Sequence, residues 1–340
     1  MTTILVITGL ILLVGIFGLL YRVITLVGIA KGESNKRVGM SNTVNALLFP
    51  ISFIVGGFLI FWSYADAREF FLPEAASVHG VETDFLFWLT LGIVFAAFFI
   101  THVLLFFFPY MYRFKESKSA YFYPHNDKLE VVWTIIPAVV MAVLVLLGWL
   151  TWRDITSEPP AEDLVEFEIM GKQFNWQVRY PGKDGSLGRY DYQKIDATNS
   201  MGIDFSDPNA MDDFTPREIH IPKGKNVMLR IRARDVLHSV FMPHFRVKMD
   251  AVPGMPTNFW FTPTKSTAEM RAELGNPEFD YELACTEVCG GGHFAMRMKI
   301  VVDEPEEFEK WANEQESWSS LNQDYISNLD LEDKSLVSVK

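Results

Sequence analysis

Apolar residues are spread unevenly along the chain, with long charge-poor runs in the first half and short alternating segments in the second. Four windows hold the roughly 20 mostly apolar residues that a bilayer crossing takes: residues 2–21, 43–65, 85–112 and 131–152. Each is expected to be a transmembrane helix. The first also has small residues at Gly28 and Ala30, as a cleaved signal peptide would, but it lacks a basic leading segment and its apolar run continues past Arg22.

Beyond Trp152 the pattern shortens to segments rich in valine, isoleucine and aromatics, bounded by Pro, Gly and Asn. Expected strands are 164–170, 173–180, 217–221, 226–233, 239–242, 258–262, 279–284 and 296–302. The polar stretch 181–216, with PGKDGSLG and DFSDPNAMDD, is expected as a surface insertion. Strands of this length, separated by turn residues, point to a Greek-key barrel or sandwich of the kind that holds copper between its loops. The segment EPEEFEKWANEQE, 304–316, reads as one amphipathic helix with Phe308 and Trp311 inward. The fold class expected is a membrane-anchored α plus all-β chain, with helices over 1–65 and 84–152, a β-domain over 153–316 and a tail over 317–340.

Charge adds orientation. The chain carries a formal net charge of -12, and 303–340 is strongly acidic, a solvated face first and a docking surface for a basic partner second. Arg22, Lys31, Lys36 and Arg37 follow the first window, and Arg113, Lys115, Lys118 and Lys128 the third. The loop after the second holds Asp66, Glu69, Glu74, Glu82 and Asp84 against Arg68. The positive-inside rule makes the first and third loops cytoplasmic, so both chain ends and the β-domain are expected on the periplasmic side. No internal repeat stands out, and no basic aromatic patch points to nucleic acid.

Both cysteines lie in ACTEVCGGGHFAMRMK, 284–299, with His293 and Met296 close behind. A c-type haem needs C-x-x-C-H, and the C-x-x-x-C spacing here excludes it. A disulfide is permitted in an exterior compartment, but it would close a tiny loop and leave His293 and Met296 without a role. Zinc has little use for a thioether, whereas thiolate, thioether and imidazole together favour copper. A mononuclear blue-copper centre takes one thiolate, so the second is surplus. Two thiolates can bridge two coppers if another histidine comes from elsewhere, and His220, His238 and His244 are the candidates.

The string CTEVCGGGHFAM resembles the dinuclear copper signature C-x-E-x-C-G-x-x-H-x-x-M of subunit II of the haem-copper cytochrome c oxidases. DVLHSVFMPHFRVKMDAVPG resembles that family's other ligand segment, and EVVWTIIPAVVMAVLVLLGW its second membrane helix; the match runs in the family's order from about residue 84 to 316. The resemblance implies a cupredoxin-like domain carrying the dinuclear copper centre CuA. In it Cys285 and Cys289 would bridge the metals and His238 and His293 would cap them. Met296 would bind one copper weakly and the Glu287 carbonyl the other, while the Glu287 side chain would ligate a magnesium shared with subunit I. His244 has no part in it. Electrons would pass from cytochrome c through CuA to haem in subunit I, where oxygen is reduced to water and protons are pumped across a bacterial inner membrane.

Two positions depart from or extend that pattern. Where the family carries Q-W-x-W this chain reads QFNW, so Phe174 stands at the usual electron-accepting tryptophan, as an apolar docking contact or with Trp176 sharing the role, against simple core packing for both. Glu130, ahead of VVWTIIPA, is implied as the cytoplasmic entrance of a proton path into subunit I, against a plain helix-dipole contact. His102 is expected to be a packed or interfacial histidine. Family members typically have two membrane helices, so 1–65 is extra and resembles the extended form of bacteria whose oxidase joins a larger respiratory supercomplex. A quinol oxidase subunit would lack the ligands, a nitrous-oxide-reducing enzyme would carry a large further domain, and a copper carrier would use an exposed, exchangeable site.

Overall fold

The computed structural model describes residues 2–32, 40–115, 117–162 and 164–329. Lys36, Arg37 and the acidic residues beyond 329 lie outside the described residues. Two compact units are distinct, 1–72 with 91–134 and 73–90 with 135–340.

Four helices precede the β structure: α1 (Thr2–Ala30), α2 (Met40–Ala67), α3 (Val78–Met111) and α4 (Asp127–Thr156). All four are long and apolar enough to cross a membrane, as the apolar windows predict, and the chain is a multi-pass membrane protein. Within the first unit, α2 meets α3 through phenylalanine rings, Phe53 lying 6.2 Å from Phe99 and 5.4 Å from Phe106. Lipid tails offer no hydrophobic drive toward such pairing, so interlocked side chains supply it. His102 is packed as expected, stacked on Phe98 at 3.7 Å with its Nδ1 2.8 Å from the Phe98 carbonyl.

α3 starts at Val78, earlier than its apolar window, because Ser77 caps it: the Ser77 hydroxyl accepts from the Gly80 amide at 2.9 Å. Its 34 residues make a rod of about 51 Å, longer than the roughly 30 Å hydrocarbon layer. Asn126 caps α4 in the same way, through the Leu129 amide at 3.0 Å.

The β-domain contains β1 (Leu164–Lys172), β2 (Asn175–Arg179), β3 (Ile219–Pro222), β4 (Asn226–Ala233), β5 (His238–Met242), β6 (Val247–Ala251), β7 (Thr257–Phe261), β8 (Tyr281–Cys285) and β9 (Arg297–Asp303). Sheets of order β2-β1-β4-β7 and β3-β9-β8-β5-β6 enclose one core, where Phe167, Ile169, Leu229 and Ile231 meet Val240, Leu283 and Ile300. This is the expected cupredoxin-like sandwich. β6 is absent from the sequence expectation, although Val247, Met249 and Ala251 alternate with Lys248 and Asp250. So is α5 (Thr267–Leu274), although Ser266 and Glu269 form a capping box that marks its start. α6 (Pro305–Asn313) buries Phe308 and packs Trp311 on the core, as its pattern predicts.

The stretch 181–216 is not simply superficial. It covers the outer face of the four-stranded sheet, where Met201, Ile203 and Ala210 join Met170 of β1 in a second buried cluster. Trp318, in the short α7 (Trp318–Leu321), completes that cluster and stacks on Phe205 at 4.8 Å. The tail expected from 317 therefore begins inside the fold. Beneath this cover Glu168 is shared between Arg179, at 2.8 Å, and Arg232, and Arg179 also binds Asp213 at 2.8 Å. All four side chains are buried. Burial opposes ionisation of Glu168, but the two guanidiniums hold its carboxyl below the ordinary range. Asp213 has one guanidinium only, and burial pushes its carboxyl up to about 7.

Removing one partner of a buried ion pair strands the others without water. Arg179→Met is expected to lower the unfolding free energy of the β-domain by about 3–5 kcal/mol, read from denaturant titrations of the solubilised chain.

Candidate metal centre

Strand pairing brings the donors together. β5 pairs with β8 so that Val240 faces Cys285, which sets His238, the first residue of β5, beside the last residue of β8. The loop between β8 and β9 is closed where the Cys285 amide donates to the Met296 carbonyl at 3.2 Å. That closure folds Cys289, His293 and Met296 back over Cys285.

Cys285 Sγ lies 4.0 Å from Cys289 Sγ, 3.9 Å from His238 Nδ1 and 3.3 Å from the Glu287 carbonyl oxygen. Cys289 Sγ lies 3.7 Å from His293 Nδ1 and 3.8 Å from Met296 Sδ. The pair of thiols is thus flanked by one imidazole on each side, with a carbonyl near one sulfur and a thioether near the other. A disulfide needs sulfurs about 2.05 Å apart, and both cysteines are free. Ligands of one tetrahedral ion, bound at about 2.0–2.3 Å, stand about 3.3–3.8 Å apart, close to the spacings observed. The donor set therefore fits metal, and its softness fits copper. His238, Cys285 and Cys289 alone already bring one ligand atom each within 4.8 Å of the others.

Burial keeps most of the set dry: His238 is 0% exposed, Met296 1%, Cys289 4% and Cys285 8%, while His293 is half-buried. Burial, then the adjoining Cys285 thiol, pushes the Cys289 thiol up to about 11. Metal uptake by this chain consequently displaces a proton.

The sequence reading missed two residues that aim the ligands. Asp235 accepts from the Gln173 amide at 2.8 Å and lies 2.9 Å from His238 Nε2, so the opposite ring nitrogen, Nδ1, faces Cys285. Burial works to raise the Asp235 carboxyl, yet the Gln173 amide and His238 hold it below the ordinary range. Gln173 in turn donates through its side chain to the Cys289 carbonyl at 2.6 Å. Gly171 leaves room for the imidazole, since a Cβ there would meet the His238 ring at 2.9 Å. The D-x-x-H spacing was visible in the chain, whereas nothing local ties Gln173 to Cys289.

Phe174 and Trp176, paired in the sequence, lie in different places. Phe174 is 43% exposed and its ring covers the CGGG turn, where a Cβ on Gly290 or Gly292 would meet it at 2.8 Å or 2.5 Å. Trp176 is buried, donates to the Met296 carbonyl at 3.4 Å and stands 5.9 Å from the His238 ring. Glu287 is exposed, and Glu130 is exposed in the first turn of α4.

Neither rival histidine joins the donors. His220 lies between Asp303 at 2.6 Å and Glu218 at 3.1 Å and stacks on Trp311; burial opposes its charge, but the carboxylates raise its pKa above the ordinary value. His244 packs against Phe279 and Tyr281, and burial, with Arg246 nearby, brings its imidazole down to about 4.

Loss of a group that orients a metal-bound histidine typically costs about 10–100-fold in metal affinity. Asp235→Ala is expected to weaken copper binding on that scale, measured by competition with a chelator.

The family described as cytochrome C oxidase subunit II, periplasmic domain, matches residues 165–304, and its transmembrane domain matches 65–149. α1 and all but the last turn of α2 precede the matched stretches. The chain is 36% identical over 240 residues to the alternative cytochrome c oxidase subunit 2 of Bradyrhizobium diazoefficiens, covering 69% of this chain and 79% of that one. It is 30% identical over 300 residues to the cytochrome c oxidase subunit 2 of Thermostichus vulcanus, covering 72% and 79%. The crystal structure of the periplasmic domain of subunit II of cytochrome oxidase of Bradyrhizobium japonicum aligns with a TM-score of 0.31 and 26% identity, over 45% of this chain and 93% of that one.

Proposed function

The chain belongs to the cytochrome c oxidase subunit II family, and from that premise we propose that its β-domain receives electrons from cytochrome c and relays them toward haem in subunit I. The chain is a copper-binding component of a cytochrome c oxidase and works with the other oxidase subunits. The observation that carries the proposal is the donor arrangement, in which two thiols 4.0 Å apart are flanked by His238 and His293.

Copper held here would supply one-electron chemistry, with charge shared between metal and thiolate. Cys285 and Cys289 would bridge a copper pair, His238 and His293 would cap it, and Met296 and the Glu287 carbonyl would complete the two ends. The protein's part is to hold these atoms still. Cys285 and His238 end paired strands, Asp235 and Gln173 lock the imidazole and the loop from one side, and Trp176 holds the Met296 carbonyl from another. A ligand set fixed in this way would change little when an electron arrives. Phe174, exposed over the loop, offers an apolar contact to a docking donor, while the acidic surface suits a basic one.

The exposed Glu287 carboxylate is available to share a magnesium with subunit I. The charge distribution of the loops supports a bacterial inner-membrane orientation with the β-domain and both chain ends in the periplasm. In that orientation Glu130 lies at the cytoplasmic end of α4, where a carboxylate can pass protons into subunit I. Residues 1–65, ahead of the anchor helices over 84–152, would contact a larger respiratory supercomplex.

Copper loading of the purified chain is expected to give two metals per chain and the mixed-valence dinuclear EPR signal; a single, mononuclear copper would overturn the relay. Glu130→Gln is expected to slow proton uptake by the assembled oxidase with the copper absorption unchanged, and normal turnover would remove Glu130 from the proton path.

A further inference from the structure

The β-domain is fastened to the helix ends at one corner, and every part of that corner lies within the second compact unit. The segment ahead of α3 is threaded into the domain. The Ala76 amide donates to the His244 carbonyl at 2.7 Å, the Val78 amide to Thr262 at 3.0 Å and the Thr264 amide to Ala76 at 2.9 Å. The Ser77 hydroxyl donates to the Phe245 carbonyl at 2.8 Å. At the end of α4, the Trp260 indole donates to the Asp154 carbonyl at 2.9 Å, and Ile155 sinks into the core.

Arg246 ties the domain to the α3 side of this corner. Its Nε and Nη2 donate to the two carboxylate oxygens of Asp84 on α3 at 2.7 and 2.9 Å, a bidentate grip. Nη2 also donates to the Pro73 carbonyl at 2.6 Å, and Nη1 to the Pro243 carbonyl. The Arg246 side chain is only 10% exposed. Its backbone has φ 57°, and it is the single non-glycine residue with positive φ among those described. Glycine would take that conformation without strain. The turn geometry thus asks for glycine, and what an arginine adds is the grip on Asp84 and Pro73.

The metal ligand His238 opens β5, and the turn that follows β5 ends at Arg246. We propose that Arg246 is a positioning residue for electron transfer. By locking the far end of β5 to the first turns of α3, it holds the metal ligands in a fixed place on the helix start that carries the β-domain, and this would set their distance from the acceptor in the partner subunit. This rests on the relay proposed above. Arg246 touches no ligand, so its effect is on distance and orientation and not on the metal.

The test uses the assembled oxidase. Arg246→Gly keeps the left-handed turn and removes the grip. Its copper EPR and near-infrared bands and its KM for cytochrome c are expected to stay unchanged, while the copper-to-haem step after flash reduction slows several-fold. Asp84→Asn is expected to slow the same step less, and the double variant to be no slower than Arg246→Gly alone, because both remove one interaction. Arg246→Lys, with a point charge instead of a fork, restores only part of the rate. Normal internal transfer in Arg246→Gly with intact copper signals overturns the proposal. If that variant fails to assemble, normal transfer in Asp84→Asn overturns it equally. Absence of the dinuclear signal from the unaltered oxidase is a different result and defeats the relay itself.

Discussion

Two buried thiols held 4.0 Å apart without bonding are the constraint on which the rest of the β-domain depends. Left on a mobile loop, such a pair would close to a disulfide in an oxidising compartment. Here each sulfur is held by a different part of the fold, Cys285 by the β8 ladder and Cys289 by a turn whose carbonyl Gln173 grips from across the sandwich. The turn must be compact enough for Phe174 to lie over it. That accounts for glycine at 290 and 292, where any side chain would collide with the ring. The sequence CGGGH is therefore as much a packing requirement as a ligand motif.

How legible this was in the sequence follows from where the interactions run. Cys285, Cys289, His293 and Met296 lie within one loop, so their spacing could be read directly, and the apolar windows gave four helices. Gln173 acts on Cys289 across 116 positions and on Asp235 across 62, and no periodicity carries such a link. Polar sequence concealed buried positions. The stretch 181–216 reads as surface, yet Met201 and Ile203 are buried under Trp318, and Glu168 is buried because Arg179 and Arg232 face it on the neighbouring strands. The outer face of the four-stranded sheet meets the chain's own insertion.

That cover connects to the metal through the same sheet. β1 carries Phe167 and Ile169 into the core on one face and Glu168 and Met170 under the insertion on the other. It continues to Gly171, against the His238 ring, and on to Gln173. A strand packed on both faces has little freedom to shift, so its end is a firm support from which to hold an imidazole and a loop. The insertion and the C-terminal turn, remote from the metal, thereby contribute to the stiffness that electron transfer with little rearrangement demands.

Phe174 and Trp176 can then be given separate duties on physical grounds. Trp176 is 3% exposed, so no docking partner can touch it, and its indole already serves to hold the Met296 carbonyl. Under the proposed relay, contact with a donor would fall to Phe174, whose ring rests against the turn that carries Cys289. A phenylalanine lacks the indole N–H and presents a smaller π-face than tryptophan, so it offers an apolar surface with no hydrogen bond to orient a partner. Under the proposed relay, close packing of a donor on that ring would bring it against the loop above the metal. Precise alignment would have to come from charges at the rim, where they steer encounter and fix register, and the acidic balance of this chain supplies the sign for a basic donor.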